Sequence, residues 1–265
     1  QWFILPLEHQ RRLPKKRNAE DMIDDTVVLT RTAELRFKNG SWCFNIVVEV
    51  PEPEPFKPEA FLGIHFGYYS LSWSLVGTDG QIQKEGLIDQ THLKNLVVSQ
   101  AKQRAYARTR MKSSRFPKYR GVLKLEREKA LKQILNLARE SRAAIGIENI
   151  SGLDKSTWVG EVNLLRSHWD FGKDADVLTY KSVLAGLPVV GRGRKRQLFQ
   201  VSSFRANFTC SSCWYTNAGK QVNEQLVSLE DGQIFCGNCS QKRDRNWNAA
   251  RVVAVETRKF FQKRK

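Results

Sequence analysis

The chain has 265 residues, with 44 Lys and Arg against 27 Asp and Glu, a formal net charge of +17. That length can bury one good core or two small ones, and such an excess of positive charge points to a nucleic-acid partner, whose phosphates it would neutralise. No run approaches the roughly eighteen apolar residues of a membrane span, and an odd five cysteines, four of them in two close pairs, argue against a disulfide framework and for a reducing compartment.

Gln1 stands where an initiator Met would be, and no signal sequence follows it, so the chain is expected to be the C-terminal piece of a longer protein. Residues 1–25 are polar and basic with little periodicity. Thr32–Phe37 and Trp42–Val50 read as strands flanking Asn39-Gly40, a dipeptide suited to a type I′ turn. Alternation puts Trp42, Phe44, Ile46, Val48 and Val50 on one face and the lone Cys43 on the other, where it is an ordinary half-buried thiol. Pro51, Pro53 and Pro55 alternate with Glu, which favours an extended conformation and marks a domain boundary.

Three antiparallel strands are predicted next: Phe61–Ile64, Leu71–Val76 and Gln81–Ile88, the last entered through the tight turn Thr78-Asp79-Gly80. Leu93, Leu96 and Val97 begin a helical stripe. Leu123–Ala138 is a strong helix with Leu131, Ile134, Leu135 and Ala138 at helical spacing. Ala143–Glu148 is a short buried strand ending in a carboxylate. Val177, Tyr180 and Leu184 predict another helical stripe, with Gly186 as its C′ residue and Pro188 preventing continuation. Leu187–Val190 reads as a short strand, Gly191–Arg196 as a basic loop, and Trp247–Phe261 as the last helix.

Between the first two of these helices the chain carries Lys102, Arg104, Arg108, Arg110, Lys112, Arg115, Lys118 and Arg120 with no acid among them, interleaved with Tyr106, Phe116 and Tyr119. A charge run usually forms a solvated helix face. Cations without counter-charges repel one another, however, so an anionic partner is the better reading. Arg104, Arg108, Arg110, Lys112, Arg115, Lys118 and Arg120, with Arg192, Arg194, Lys195 and Arg196 of the second basic loop, are the candidate phosphate contacts. Trp158 and Tyr119 are candidates for stacking on bases, although an aromatic in a basic stretch is as often core.

Cys210-x2-Cys213 and Cys236-x2-Cys239 form the most specific local signal. Two residues between each pair let one tight turn supply two thiolates, and two such knuckles make a tetrahedral zinc site. With all four positions filled by protein the zinc is expected to be structural.

Several short motifs recur in a specific order: Gly63-Ile64-His65-Phe66-Gly67, then Gly146-Ile147-Glu148-Asn149, a helical segment, the four-cysteine ribbon, and Asp244-Arg245-Asn246-Trp247-Asn248-Ala249-Ala250 opening a helix. This order resembles the RuvC nuclease region of the TnpB proteins of transposons and of type V CRISPR effectors, over roughly residues 26 to 261. The resemblance implies an α/β chain. It would hold an RNase H-like RuvC domain with an inserted zinc ribbon, preceded by the end of an antiparallel β domain of the wedge type. It implies boundaries at 1–55 for the wedge-like part and Pro-rich linker and 56–209 for the first part of the RuvC-like domain, including a basic helical segment at 89–140. The ribbon, of the target-nucleic-acid-binding type, would take 210–239, and the last RuvC-like helix 240–265.

Family members carry three catalytic acids. Their positions fall on His65, Glu148 and Asn246, so only Glu148 is retained, while Asp244 matches an acid of the last motif that is not catalytic. Two-metal phosphodiester cleavage needs anionic oxygens around two hard cations. Asn keeps an oxygen without its charge, and His offers a nitrogen better suited to zinc or copper. The implied function is therefore an RNA-guided DNA-binding protein without nuclease activity, with guide RNA and target DNA as partners, no membrane, an unknown protein partner if any, and a prokaryotic, nucleoid-associated cytoplasmic location. The competing expectation is an active RuvC endonuclease using Glu148 with Asp244, for which magnesium would be needed; a blander one is a transposon remnant or a zinc-stabilised module that binds nucleic acid without a guide. For His65 the two readings are a buried histidine satisfied by its surroundings and an unusual metal ligand.

Overall fold

A computed structural model of the protein describes residues 28–38, 41–49, 53–67, 70–109, 119–149, 171–191, 196–216, 226–228 and 232–263. They fall into two compact units, Gln1–Pro53 and Glu54–Lys265. In the first, β1 (Val28–Lys38) and β2 (Ser41–Glu49) pair antiparallel, with Arg36 opposite Cys43 and Phe37 opposite Trp42. The first strand starts four residues earlier than its apolar pattern suggests, since backbone pairing continues past the last alternating side chain. The Asn39-Gly40 turn lies outside the described residues.

The second unit is built on a five-stranded sheet of order β5-β4-β3-β6-β7. Its strands are β3 (Ala60–Phe66), β4 (Ser70–Gly77), β5 (Ile82–Asp89), β6 (Ala143–Asn149) and β7 (Phe199–Ser202). The first three form an antiparallel meander. β6 then adds parallel to β3, and β7 parallel to β6. A parallel pair needs a crossover, and α1 (Thr91–Thr109) and α2 (Tyr119–Glu140) lie in the connection from β5 to β6. β3 is buried at all seven positions because it is central and covered on both faces.

The faces differ in character. Leu62, Ile64 and Phe66 of β3, with Ala143, Ile145 and Ile147 of β6, pack with Leu131, Ile134 and Ala138 of α2 and Leu178 of α3 (Phe171–Leu184). Each fully buried Leu or Ile there contributes roughly 1.5–3 kcal/mol. Leu93 and Val97 of α1 join this layer through Leu123 of α2.

The opposite face carries Phe61, Gly63 and His65 of β3 and Gly146 and Glu148 of β6, and is covered by α5 (Arg245–Gln262). Phe61 meets Phe261 with ring centroids 6.4 Å apart, and Phe199 stacks on Phe260 at 4.3 Å. Gly63 lies under Ala250 and Ala254. The helix therefore runs antiparallel to β3, with its first turn toward the strand ends that bear His65 and Glu148.

The stripe expected at Val177, Tyr180 and Leu184 is not the buried one. Asp174, Leu178 and Ser182 are buried, whereas Tyr180 is 64% and Leu184 45% exposed. The cause is an ion pair invisible to apolar periodicity: Asp174 accepts from Arg127 of α2, which turns the helix so that its polar residue faces inward. The end of α3 follows expectation. Gly186 has φ +68°, its N–H donates to the Val183 carbonyl, and the Leu187 N–H donates to Ser182 at 2.9 Å, which together make a Schellman cap. Leu187–Val190 is not a strand; its one ladder contact is the bridge between Val190 and Gln197. β7 and the short α4 (Ser203–Phe208) have no counterpart in the sequence reading.

The ribbon has β8 (Leu226–Ser228), β9 (Gln233–Cys236) and β10 (Gln241–Asp244), antiparallel in the order β10-β9-β8. It sits between α4 and α5 in sequence. Among the described residues no helix is long and apolar enough to cross a membrane.

Candidate nuclease-type site and metal centre

His65 and Glu148 are brought together by strand register. Ile64 pairs with Ile147 in the parallel β3–β6 ladder, so the next residues stand side by side on the α5 face. His65 Nδ1–H donates to Glu148 Oε2 at 2.5 Å, with the two side chains 11% and 4% exposed. The other oxygen, Oε1, accepts from Asn207 Nδ2 at 2.6 Å. Asn207 comes from α4, where its amide also donates to the Ser203 carbonyl at 2.9 Å, and Ser203 Oγ donates to the Asn149 carbonyl. Burial alone would raise the Glu148 carboxyl, but the bond and charge of His65, with the contacts of Ser203 and Asn207, outweigh it and hold the group below the ordinary range. Glu148 is thus an ionised carboxylate with both oxygens engaged by protein donors.

Asn246 is half-buried in the first turn of α5. It shares a helical stripe with Ala250 and Ala254, the residues over Gly63, so it lies on the sheet-facing side one turn nearer the ends of β3 and β6. The three sequence-predicted positions therefore converge on one end of the sheet. Asp244 has a different task. It is the N-cap of α5, its Oδ1 accepting from the Trp247 N–H at 2.9 Å.

This donor set does not suit two hard divalent cations. Two-metal chemistry asks for several anionic oxygens with free lone pairs. Here a single carboxylate is already bonded at both oxygens, and its neighbours are an imidazole and an amide. His65 is the satisfied buried histidine of the two readings, since its Nδ1 is held by Glu148.

Sequence reasoning missed Asn207 and Asn248. Asn207 follows an unassigned strand, and nothing local marks it as a partner of Glu148. Asn248, 1% exposed, joins the ribbon to the sheet domain: its Nδ2 donates to the Thr209 carbonyl and its Oδ1 accepts from the Ser211 N–H, both at 2.8 Å. Its place in the Asn246-Trp247-Asn248 run is the signal that could have found it.

The four ribbon cysteines converge as their spacing predicts, with all four sulfurs within 4.8 Å of one another. Cys210 and Cys239 Sγ are 3.7 Å apart, as are Cys213 and Cys236. Four thiolates about 2.3 Å from one tetrahedral ion would stand about 3.8 Å apart, so the arrangement fits a four-coordinate metal such as zinc. Burial pushes the Cys236 thiol up to about 12; at Cys213 burial is outweighed by hydrogen bonds from the Asn238 side chain and the Tyr215 backbone, which bring it to about 6. A cation in the centre is what would make four thiolates compatible at this spacing.

Each knuckle ends on a residue with left-handed backbone: Trp214 has φ +60° and Ser240 φ +56°. Neither is Gly, the residue that takes this conformation without cost. Trp214 is held by its N–H bond to Cys210 and by Lys259 over its ring at 4.6 Å. Ser240→Gly is expected to stabilise the chain by about 1 kcal/mol, read as a raised denaturation midpoint at unchanged metal content; a lowered midpoint would show that the Ser240 side chain makes a contact worth more than its backbone strain.

Of the predicted phosphate contacts, Arg104 and Arg108 fall in α1 and Arg120 in α2, but the described features do not extend to their side chains. Arg110, Lys112, Arg115, Lys118, Arg192, Arg194, Lys195 and Trp158 lie outside the described residues. Arg196 is half-buried beside the Val190–Gln197 bridge.

No family model and no curated protein matches the sequence. Among solved structures, the chain is similar to one in a cryo-EM structure of a Cas12f1–sgRNA–target DNA complex, with a TM-score of 0.53 at 17% identity over 84% of this chain and 55% of that one. It is also similar to a chain of a CRISPR–Cas12f ternary complex (TM-score 0.47, 15% identity, 86% and 44% covered) and to RuvC of Thermus thermophilus (0.36, 11%, 77% and 95%). This chain spans about half the length of the Cas12f1 chain. The shared fold is the RNase H-like RuvC architecture with its four-cysteine ribbon, as the sequence motifs imply.

Proposed function

We propose that the chain is the RuvC-type region of an RNA-guided DNA-binding protein of the TnpB or type V effector kind, and that its nuclease site does not cut. One observation carries the second part: the single retained acid, Glu148, has one oxygen bonded to His65 and the other to Asn207. A carboxylate saturated in this way, beside a histidine and an asparagine where acids would stand, holds magnesium weakly. Guide pairing would supply sequence recognition, and the protein would hold backbone and shape. Support for the nucleic-acid partners comes from the charge of +17 and from the Cas12f1 complex, which contains sgRNA and target DNA. The ribbon is assigned a structural zinc, and the location a prokaryotic cytoplasm beside the nucleoid.

The test uses the protein at its full natural length, purified with its co-expressed RNA and given matched duplex DNA with magnesium or manganese. The expected result is guide-dependent binding without cleavage. The double substitution His65→Asp/Asn246→Asp frees one oxygen of Glu148 and restores two charges, and should raise cleavage at least about a hundredfold. Cleavage by the unaltered protein that vanishes in Glu148→Ala would overturn the proposal and make His65 and Asn246 parts of a working site, with magnesium as its metal and Asp244 as a candidate ligand.

A further inference from the structure

A second recess lies where the ribbon meets α5. Its volume is about 440 Å³, and it is lined by Gln233 of β9, Gln241, Lys242, Arg243 and Asp244 of β10, and Trp247, Asn248 and Arg251 of α5. None of these is His65, Glu148 or Asn207. A volume in this range accommodates a small organic ligand.

Two features of the recess have no explanation within the fold. Arg243 Nε is buried and meets no acceptor among the described residues; the guanidinium's contact to Ser211 Oγ, from Nη1, is long at 3.4 Å. A buried N–H without an acceptor costs about 1–3 kcal/mol, so its retention asks for an anionic oxygen. Trp247 leaves a large indole 41% exposed at the same place. An exposed indole costs little by itself, but beside a cationic recess it offers a stacking face. Two other charges are already answered: Arg251 is held by both oxygens of Glu85, and Asp244 caps the helix. The Gln233 and Gln241 amides add donors and acceptors of the kind that read a base edge.

We infer that this recess binds one nucleotide, its phosphate on Arg243 and its base on the Trp247 ring. The ligand chemistry, an anionic phosphate joined to a planar heterocycle, is common to a free mononucleotide and to a nucleotide within a single strand. The inference goes beyond the proposed function, since it needs neither a guide nor cleavage.

The experiment titrates the 265-residue chain, by calorimetry at two salt concentrations, with inorganic phosphate, with a deoxymononucleotide and with an eight-nucleotide single strand. It is repeated for Arg243→Gln and Trp247→Ala, with metal content and melting measured for each. The expected result is that each substitution weakens nucleotide binding about tenfold, and that Arg243→Gln also reduces the salt dependence by about one counterion. Equal affinity for the mononucleotide and the strand identifies a free nucleotide as the ligand; clear preference for the strand identifies a strand nucleotide. If Arg243→Gln fails to fold, the exposed Trp247→Ala decides alone. Strand binding unchanged in well-folded variants would overturn the inference while leaving the proposed function standing, because other basic surfaces would then carry the strand. No binding of the mononucleotide or the strand would overturn it as well.

Discussion

Gly63→Ala is expected to destabilise the chain by about 3 kcal/mol, the upper part of the range for overpacking a core. A Cβ at Gly63 would overlap the Ala250 carbonyl and the Ala254 nitrogen and stand 2.7 Å from Ala254 Cα. These are backbone atoms, so no rotamer change relieves the clash and the helix itself must lift. The helix is pinned along its length: Asn248 ties its first turn to the ribbon, Arg251 pairs with Glu85, and Arg258 and Gln262 both donate to the Thr78 carbonyl at 2.8 Å. Gly146→Ala is the informative neighbour. Its Cβ would overlap the Thr257 side chain, which bonds the Val253 carbonyl at 2.6 Å and must give up that bond to move. Gly232→Ala meets nothing within 4 Å and has only its φ of +77° to contend with, about 1 kcal/mol. Urea midpoints for the three variants should therefore rank Gly63 as most damaging and Gly232 as least. A Gly63→Ala chain within about 1 kcal/mol of the parent would show that α5 is not seated on β3 as described.

The second large effect is expected on metal removal. The chain purified under reducing conditions should hold one zinc, and Cys236→Ser should abolish it. Structural zinc sites of this type bind with roughly 10–16 kcal/mol of apparent free energy, which appears as folding free energy. Cys236 is 1% exposed between Cys210 and Ile234, and this small cluster is the only apolar core that the described ribbon residues show. Without the ion, the ribbon strands have little to hold them. The loss reaches the sheet domain through Asn248, whose partners Thr209 and Ser211 flank Cys210, and through Asp244, which ends β10 and caps α5. The melting temperature should fall by about 10 °C or more, given 2–4 °C per kcal/mol for a domain of this size. Absence of zinc from the parent chain, four freely reactive thiols and no effect of a chelator would together overturn the assignment.

Much of the architecture was legible because its signals are local. Strands β3, β4, β5 and β6, helix α2 and the last helix follow from period-2 and helical spacing, and each was placed to within a few residues. The cysteine knuckles were legible for the same reason, since two turns of fixed spacing leave their ligands little choice but to converge. β7 and α4 were not legible. Phe199–Ser202 is four residues long, with one buried position, and becomes a strand because β6 offers it a ladder. The buried face of α3 was misread because its inward residue is Asp174, and apolar periodicity cannot register a charge neutralised by Arg127 from another helix.

The sequence by itself determined that two of the three acid positions are His65 and Asn246 and that four thiols share a site; these are matters of residue identity and spacing. Only the tertiary structure decided what became of Glu148. Its register beside His65 depends on the β3–β6 ladder, and its second bond depends on Asn207, 59 residues further along the chain. A side chain's hydrogen-bond partners are set by which strands pair and where a helix lands, and those long-range choices have no local signature. For that reason one carboxylate could be read from the chain as a remaining metal ligand and be found in the fold as a closed, fully bonded anion.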